Sequence, residues 1–354
     1  MKTKHLQSWI VALLTIAVMA SSGAALAADD AWSTPPAVSG GDVVVEVVMV
    51  EDKDDDPEAA GTAAAEALNK AMGDTPPKVV LVAECFEDLE YKAPLIKGIT
   101  SVLPESVVLG GATYGAFTQR GCTDFDSVCL LGIGGDGISV SAGLVTDLGT
   151  SKLVFEEHEA EIKQKLRNAG EKLVGKLRRT EQDKLLVLVA DAHSPKNQYL
   201  VEGAQQVLGN DFAITGGSAN KNAGQTFVYF GGKPHRDAAV AVMLSGDFSV
   251  SLAGRKAQDN DAVIQTAGEG AGEAIGGMKK NPIAVLSFNC AGRRGKLDDY
   301  DDELAAIQKS VGKDLPLFGC YCAGEIGPLD ETEAKPGVRC GGSGWHVMFT
   351  VIGK

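Results

Sequence analysis

The stretch Leu315–Leu329, LPLFGCYCAGEIGPL, is a short apolar run that breaks on Gly319 and passes at once into Cys320, Cys322, Gly324 and Glu325. An apolar strand that stops on glycine marks a buried strand whose backbone must turn or approach something closely. The same punctuation occurs twice earlier. Val107-Val108-Leu109 meets Gly110-Gly111-Ala112, and Ala213-Ile214-Thr215 meets Gly216-Gly217-Ser218.

Each of these runs closes a longer pattern. Val79–Ala83, Leu185–Ala190 and Ile283–Phe288 are buried-type strands ending on Glu84, Asp191 and Asn289-Cys290. Amphipathic helices follow near Tyr91–Leu103, Tyr199–Leu208 and Asp301–Val311. From polar strand end to glycine is roughly 25 to 30 positions, the length of a parallel strand–helix–strand crossover. Further strands come after each glycine: Ser127–Ile133, Ala238–Leu244 and Trp345–Ile352. Ile138–Gly143 and Phe248–Ala253 alternate apolar and small polar residues and are assigned to units one and two, with Gly132–Gly137 as a hairpin turn. Charged or small-residue helices at Glu156–Leu177 and Ala262–Met278 link the units. The fold class expected is α/β: repeated βαβ-type modules in mixed sheets, packed as two sheets with helices outside.

Residues 1–27 stand apart. Lys2 and Lys4, an apolar Trp9–Ala20 and Ala25-Leu26-Ala27 read as an exported leader cut after Ala27. Residues 28–42 form a flexible leader to the first strand, Val43–Val50. The domains expected are 43–254 and 255–354. A formal net charge of −14 argues against nucleic acid and anionic membranes as partners. No other long apolar run occurs, so no membrane insertion is expected after processing. Glu51–Glu58 lacks the glycine and terminal glutamate of a calcium loop and reads as an acidic helix start. Asp298–Glu303 reads as a second helix start with an Asp cap. Gly268–Gly272 follows no strand and is no dinucleotide loop.

The chain has seven cysteines, an odd number, and export permits disulfides. Cys290 with Cys320 or Cys322, and Cys122 with Cys129, are the pairings considered. His158, His235 and His346 show no metal-ligand spacing, and no metal or cofactor is called for.

Ligands of open α/β sheets bind beyond the carboxyl ends of parallel strands. That rule gathers Asn289, Cys290 and Arg293 with Gly319, Cys320, Gly324 and Glu325 in unit three, and Gly217 and Ser218 in unit two. Arg293 and Glu325 could hold a zwitterion such as an amino acid, or form a plain Arg–Glu ion pair. Cys290 as a nucleophile with His193 as base is the enzyme alternative.

At these residues the chain resembles the FIST family of prokaryotic sensory domains. The Gly-Gly-Ala and Gly-Gly-Ser strand ends look like its N-terminal half. Cys290-Ala291-Gly292-Arg293 and Gly324-Glu325-Ile326-Gly327-Pro328 look like its C-terminal half. The resemblance implies small-ligand sensing, with amino acids a ligand class, and a haem-based gas sensor as an alternative. Relatives are commonly cytoplasmic and joined to output modules, whereas this chain has a leader and ends on its last strand, so a separate signalling partner is expected. The function expected is an exported, small-molecule-binding sensory protein with its ligand between the two halves.

Overall fold

The computed structural model describes residues 26–28 and 30–354. Most of the expected leader, residues 1–25, lies outside the described residues. Three strand–helix–strand units are present, built alike. Each has a lead strand, a first and a second parallel strand, and a return strand. In unit one these are Val44–Glu51, Pro77–Glu84, Val107–Ala112 and Ser127–Gly134. In unit two they are Ile138–Thr146, Asp183–Ala190, Ile214–Ser218 and Ala238–Gly246. In unit three they are Ser249–Lys256, Pro282–Cys290, Leu317–Cys322 and His346–Gly353. All three units pair in the order lead, return, first, second, with only the first and second strands parallel.

There are therefore three mixed sheets rather than two. Ile138–Thr146 and Ser249–Lys256 each lead the following unit, not the one before. Gly132–Gly137 accordingly lies at a corner between sheets and is not a hairpin. Local spacing cannot tell these cases apart, because strands adjacent in sequence pair or part according to where their apolar faces are buried.

Two helices flank each unit. Pro57–Met72 and Lys92–Val102 cover the first sheet, Phe155–Gly175 and Asn197–Leu208 the second, and Asn260–Gly276 and Tyr300–Val311 the third. The acidic helix starts are capped as their composition suggests. Asp56 accepts from the Ala59 amide, and Asp299 from the Asp301 amide. Strand alternation divides the core. Val79, Leu81, Val187, Leu286 and Phe318 meet in one central cluster fed by all three sheets, while Val80, Leu186 and Val285 face the helices of their own sheet.

The second strand of every sheet is extended by a hairpin from another unit. Unit two's Val228–Phe230 joins the first sheet, unit three's Glu325–Gly327 the second, and unit one's Ala116–Thr118 the third. The exchange closes on itself. Each incoming strand pairs with a recurring glycine: Tyr229 with Gly110, Ile326 with Gly216, and Phe117 with Gly319. At Gly110 and Gly216 the need for glycine comes from a positive φ and from the unit's own first strand, where a Cβ would lie 2.0 Å from the Val82 carbonyl oxygen and 1.8 Å from that of Leu188. At Gly319 a Cβ would lie 2.1 Å from the Phe117 ring, so only glycine admits the incoming hairpin.

Candidate functional site

The three second strands end around one small cavity of about 20 Å³, room for a single water-sized sphere. Gly111, Gly217, Phe288, Phe318, Cys320 and Cys322 are among the residues lining it, and no charged side chain does. The glycine ends of all three units thus converge, but on a site too small for a metabolite.

Residues expected to act together in unit three divide between the two faces of its sheet. Cys290, Cys320 and Cys322 point inward. Gly217 and Glu325 pair directly opposite one another, and a Cβ on Gly217 would come 2.5 Å from the Cys322 sulfur, so Glu325 joins the inward group. Asn289 points the other way, toward the helices, with Oδ1 accepting from the Ser287 hydroxyl at 2.6 Å and Nδ2 unpartnered. Arg293, on the short helix Ala291–Arg294, also lies on the helix side and is wholly buried. Its Nη2 donates to Glu303 Oε1 and the Val263 carbonyl, both at 2.9 Å, and its Nη1 to the Thr266 hydroxyl at 3.2 Å. Tyr321 donates to the other Glu303 oxygen at 2.9 Å. The expected Arg293–Glu325 clamp is therefore not formed: the guanidinium is spent on Glu303.

Glu325 is an exception within the repeat. At the matching hairpin position unit two carries Val228 and unit one carries Ala116, both in the central core. Glu325 is equally buried, accepts the His346 amide on Oε2 at 3.0 Å, and leaves Oε1 unpartnered. Burial pushes its carboxyl well above the usual carboxylate range, against the pull of the His346 amide and of nearby Cys290 and Arg293.

All seven cysteines are free thiols, and the expected disulfides are absent. Cys122 and Cys129 belong to different sheets. Cys290 and Cys322 are partners across neighbouring strands, and the sulfurs of Cys320 and Cys322 stand 3.6 Å apart. Burial pushes the Cys290 thiol up to about 12, which opposes a nucleophile at neutral pH. His193 is engaged elsewhere: its Nε2 lies 2.8 Å from the Ala219 carbonyl, a contact that fits donation from a neutral ring.

Ser218 and Gly324 serve the seam between units. The Ser218 amide donates to the Gly324 carbonyl at 2.7 Å, and the Ala323 amide to the Ser218 carbonyl at 2.9 Å. The Ser218 hydroxyl donates to the Ala192 carbonyl at 2.7 Å. Gly319 is covered by Phe117, so neither glycine loop opens onto a ligand-sized space.

A ligand-sized space does open at the carboxyl ends of unit two's parallel strands. A polar cleft of about 420 Å³ is lined by Lys152, Asp191, His193, Lys196, Lys221 and Arg236 together with neighbouring backbone. Its acids hold the walls: Asp191 Oδ2 accepts the Asp237 amide at 3.2 Å, and the Asp237 carboxylate accepts the Gly149 amide at 2.9 Å. Lys196 is committed to the Thr150 and Leu153 carbonyls at 2.8 Å each, and Arg236 to Gln225 at 2.6 Å. The Lys152 and Lys221 ammonium groups have no hydrogen-bond or ion-pair partner among the described residues. Burial lowers the pKa of both His193 and Lys196, with Asp191 opposing it. Asp191 and His193 stood out in the sequence as strand-end residues. The cations did not, because they come from four separate loops with no common spacing.

One wall of this cleft is fastened to the C-terminal half. The Ser194 amide donates to the Ala323 carbonyl at 3.1 Å, and Asn197 Nδ2 to the carbonyls of Glu325 and Ser343 at 3.1 and 3.0 Å.

Among solved structures, the chain is similar to a cyanuric acid hydrolase from A. caulinodans, at 9% identity and a TM-score of 0.46, covering 88% of this chain and 100% of that one. Another cyanuric acid hydrolase matches at 11% identity and a TM-score of 0.41, covering 88% and 99%. A chorismatase matches at 8% identity and a TM-score of 0.38, also covering 88% and 99%. No curated protein matches the chain. A family model of the FIST N domain matches residues 78–271, more than half of the chain, and one of the FIST C domain matches residues 249–328. The chain belongs to the FIST family of sensory domains.

Proposed function

We propose that this chain is an exported sensory protein that binds a small anionic or zwitterionic metabolite, of which amino acids are the leading class, in the polar cleft of unit two. The observation that carries this is the gathering of Lys152, Lys196, Lys221 and Arg236 at one strand end of a chain whose net charge is −14. Two of these cations are uncommitted, and the cleft is within the size range of small-ligand pockets, about 300–1,000 Å³. The acids beside them supply a partner for an ammonium group. The fastening of Ser194 and Asn197 to the C-terminal half supports a ligand effect felt by both halves. The basic start, apolar core and Ala25-Leu26-Ala27 of the leader support export. A separate signalling partner would then read the bound state.

The test is calorimetry with a panel of amino acids and small carboxylates on the parent and a Lys152→Ala/Lys221→Ala variant. Each lost charge-assisted hydrogen bond should weaken binding by about 1.5–3 kcal/mol. A panel with no binder, or a variant that binds as the parent does, would remove the cleft as the site.

A further inference from the structure

We propose that Cys320 and Cys322 form a two-thiolate site for a soft monovalent metal ion, copper(I), in the small cavity at the meeting point of the three units. Alternate residues of one strand share a face, but their attachment points lie a two-residue rise apart, about 6–7 Å. The sulfurs nevertheless approach to 3.6 Å, so both side chains lean toward each other. Both line the same cavity of about 20 Å³, which has room for one ion and no charged wall to hold a hard, hydrated one. Gly217 keeps the place clear, since a Cβ there would lie 2.5 Å from the Cys322 sulfur.

The donor set selects the metal. Among the described residues no three His, Cys, Asp or Glu side chains are placed to hold an ion together, which leaves zinc without its usual four ligands. Two thiolates without oxygen or imidazole donors suit copper(I). A third thiol, Cys290, lies beside the pair. It is the strand partner of Cys322 and is 9% exposed, against 4% for Cys322 and 2% for Cys320. On binding, two S–H bonds give way to two S–Cu bonds, two protons leave, and copper stays in the +1 state.

This inference is independent of the metabolite cleft. The test is anaerobic titration of the reduced full chain with copper(I) held by bicinchoninate, with X-ray absorption on the loaded protein. Expected are transfer of a single copper(I) per chain and a first shell of sulfur alone. Cys320→Ser and Cys322→Ser should each weaken binding by at least about 100-fold, the upper end of what even an outer-shell partner costs a metal site. Cys122→Ser and Lys221→Ala should bind copper as the parent does. No transfer from bicinchoninate, nitrogen or oxygen ligands in the first shell, or parent-like affinity in Cys320→Ser would overturn the assignment. The absorption measurement uses the parent chain, so nitrogen or oxygen ligands there overturn the assignment even if the serine variants fail to fold.

Discussion

Arg293 Nη2 lies 2.9 Å from Glu303 Oε1, and neither side chain has exposed surface. Removing one partner of such a pair leaves a buried charge without compensation. Arg293→Ala should therefore lose about 3–5 kcal/mol of stability, while Arg293→Met combined with Glu303→Leu should recover much of it. Urea unfolding of the three chains checks this. Parent-like stability in Arg293→Ala, with loss of ligand affinity alone, would return Arg293 to the role of an anion anchor.

Unit one's hairpin is seated on unit three through Gly319 and Phe117. A methyl at Gly319 would meet ring atoms at 2.1 to 2.4 Å. Gly319→Ala should cost about 1–3 kcal/mol or more through overpacking. Phe117→Ala leaves a cavity of its own, so the informative quantity is the coupling: the double variant should be more stable than the sum of the single losses predicts. Additive losses would mean that the hairpin does not sit there.

Glu325 should give stability an unusual pH dependence. Burial holds its carboxyl well above its ordinary value of 4.5, so the folded chain keeps a proton that the unfolded chain releases. Its stabilising contribution is full below that value and drains away as pH rises toward the folded one. His193 and His346, lowered by burial from 6.5, work in the opposite sense and lose their contribution as pH falls below 6.5. Glu325→Gln should thus gain stability over the parent at about pH 8, with the difference closing toward about pH 4.5. A difference that does not change with pH would show that some other group titrates.

Processing after Ala27 would remove two of the three residues of the edge strand Leu26–Ala28, which pairs with Ala31–Ser33. Exported protein should begin at Ala28 by mass spectrometry and keep the stability of the full chain, because this strand only extends one edge of the eight-stranded sheet. Protein recovered outside the cell with Met1 intact would refute the cleavage.

The parts of the fold readable in advance are those written into neighbouring residues. Val79–Ala83, Leu185–Ala190 and Ile283–Phe288 are β-rich apolar runs, and the helices between them repeat apolar residues at helical spacing. Each was found within a few residues of its observed bounds. Membership of the FIST family was legible too, in the Cys-Ala-Gly-Arg and Gly-Glu-Ile-Gly-Pro segments. The exchange of hairpins was not. Ala116–Thr118, Val228–Phe230 and Glu325–Gly327 are three residues long, and what fixes each is a partner far away in sequence.

By itself, then, the sequence determined three strand–helix–strand units, each halted at a glycine, because apolar periodicity and glycine's conformational freedom act over a few residues. Only the tertiary structure decided what those glycines are for and where a ligand can go. Gly110 and Gly216 press against their own unit's first strand, Gly319 admits another unit's hairpin, Arg293 turns to Glu303, and Lys152, Lys221 and Arg236 converge from separate loops. Each of those outcomes depends on which face of a strand is buried and which distant segment covers it. A one-residue change of register reverses every side chain's face, and no local pattern of residue types carries that information.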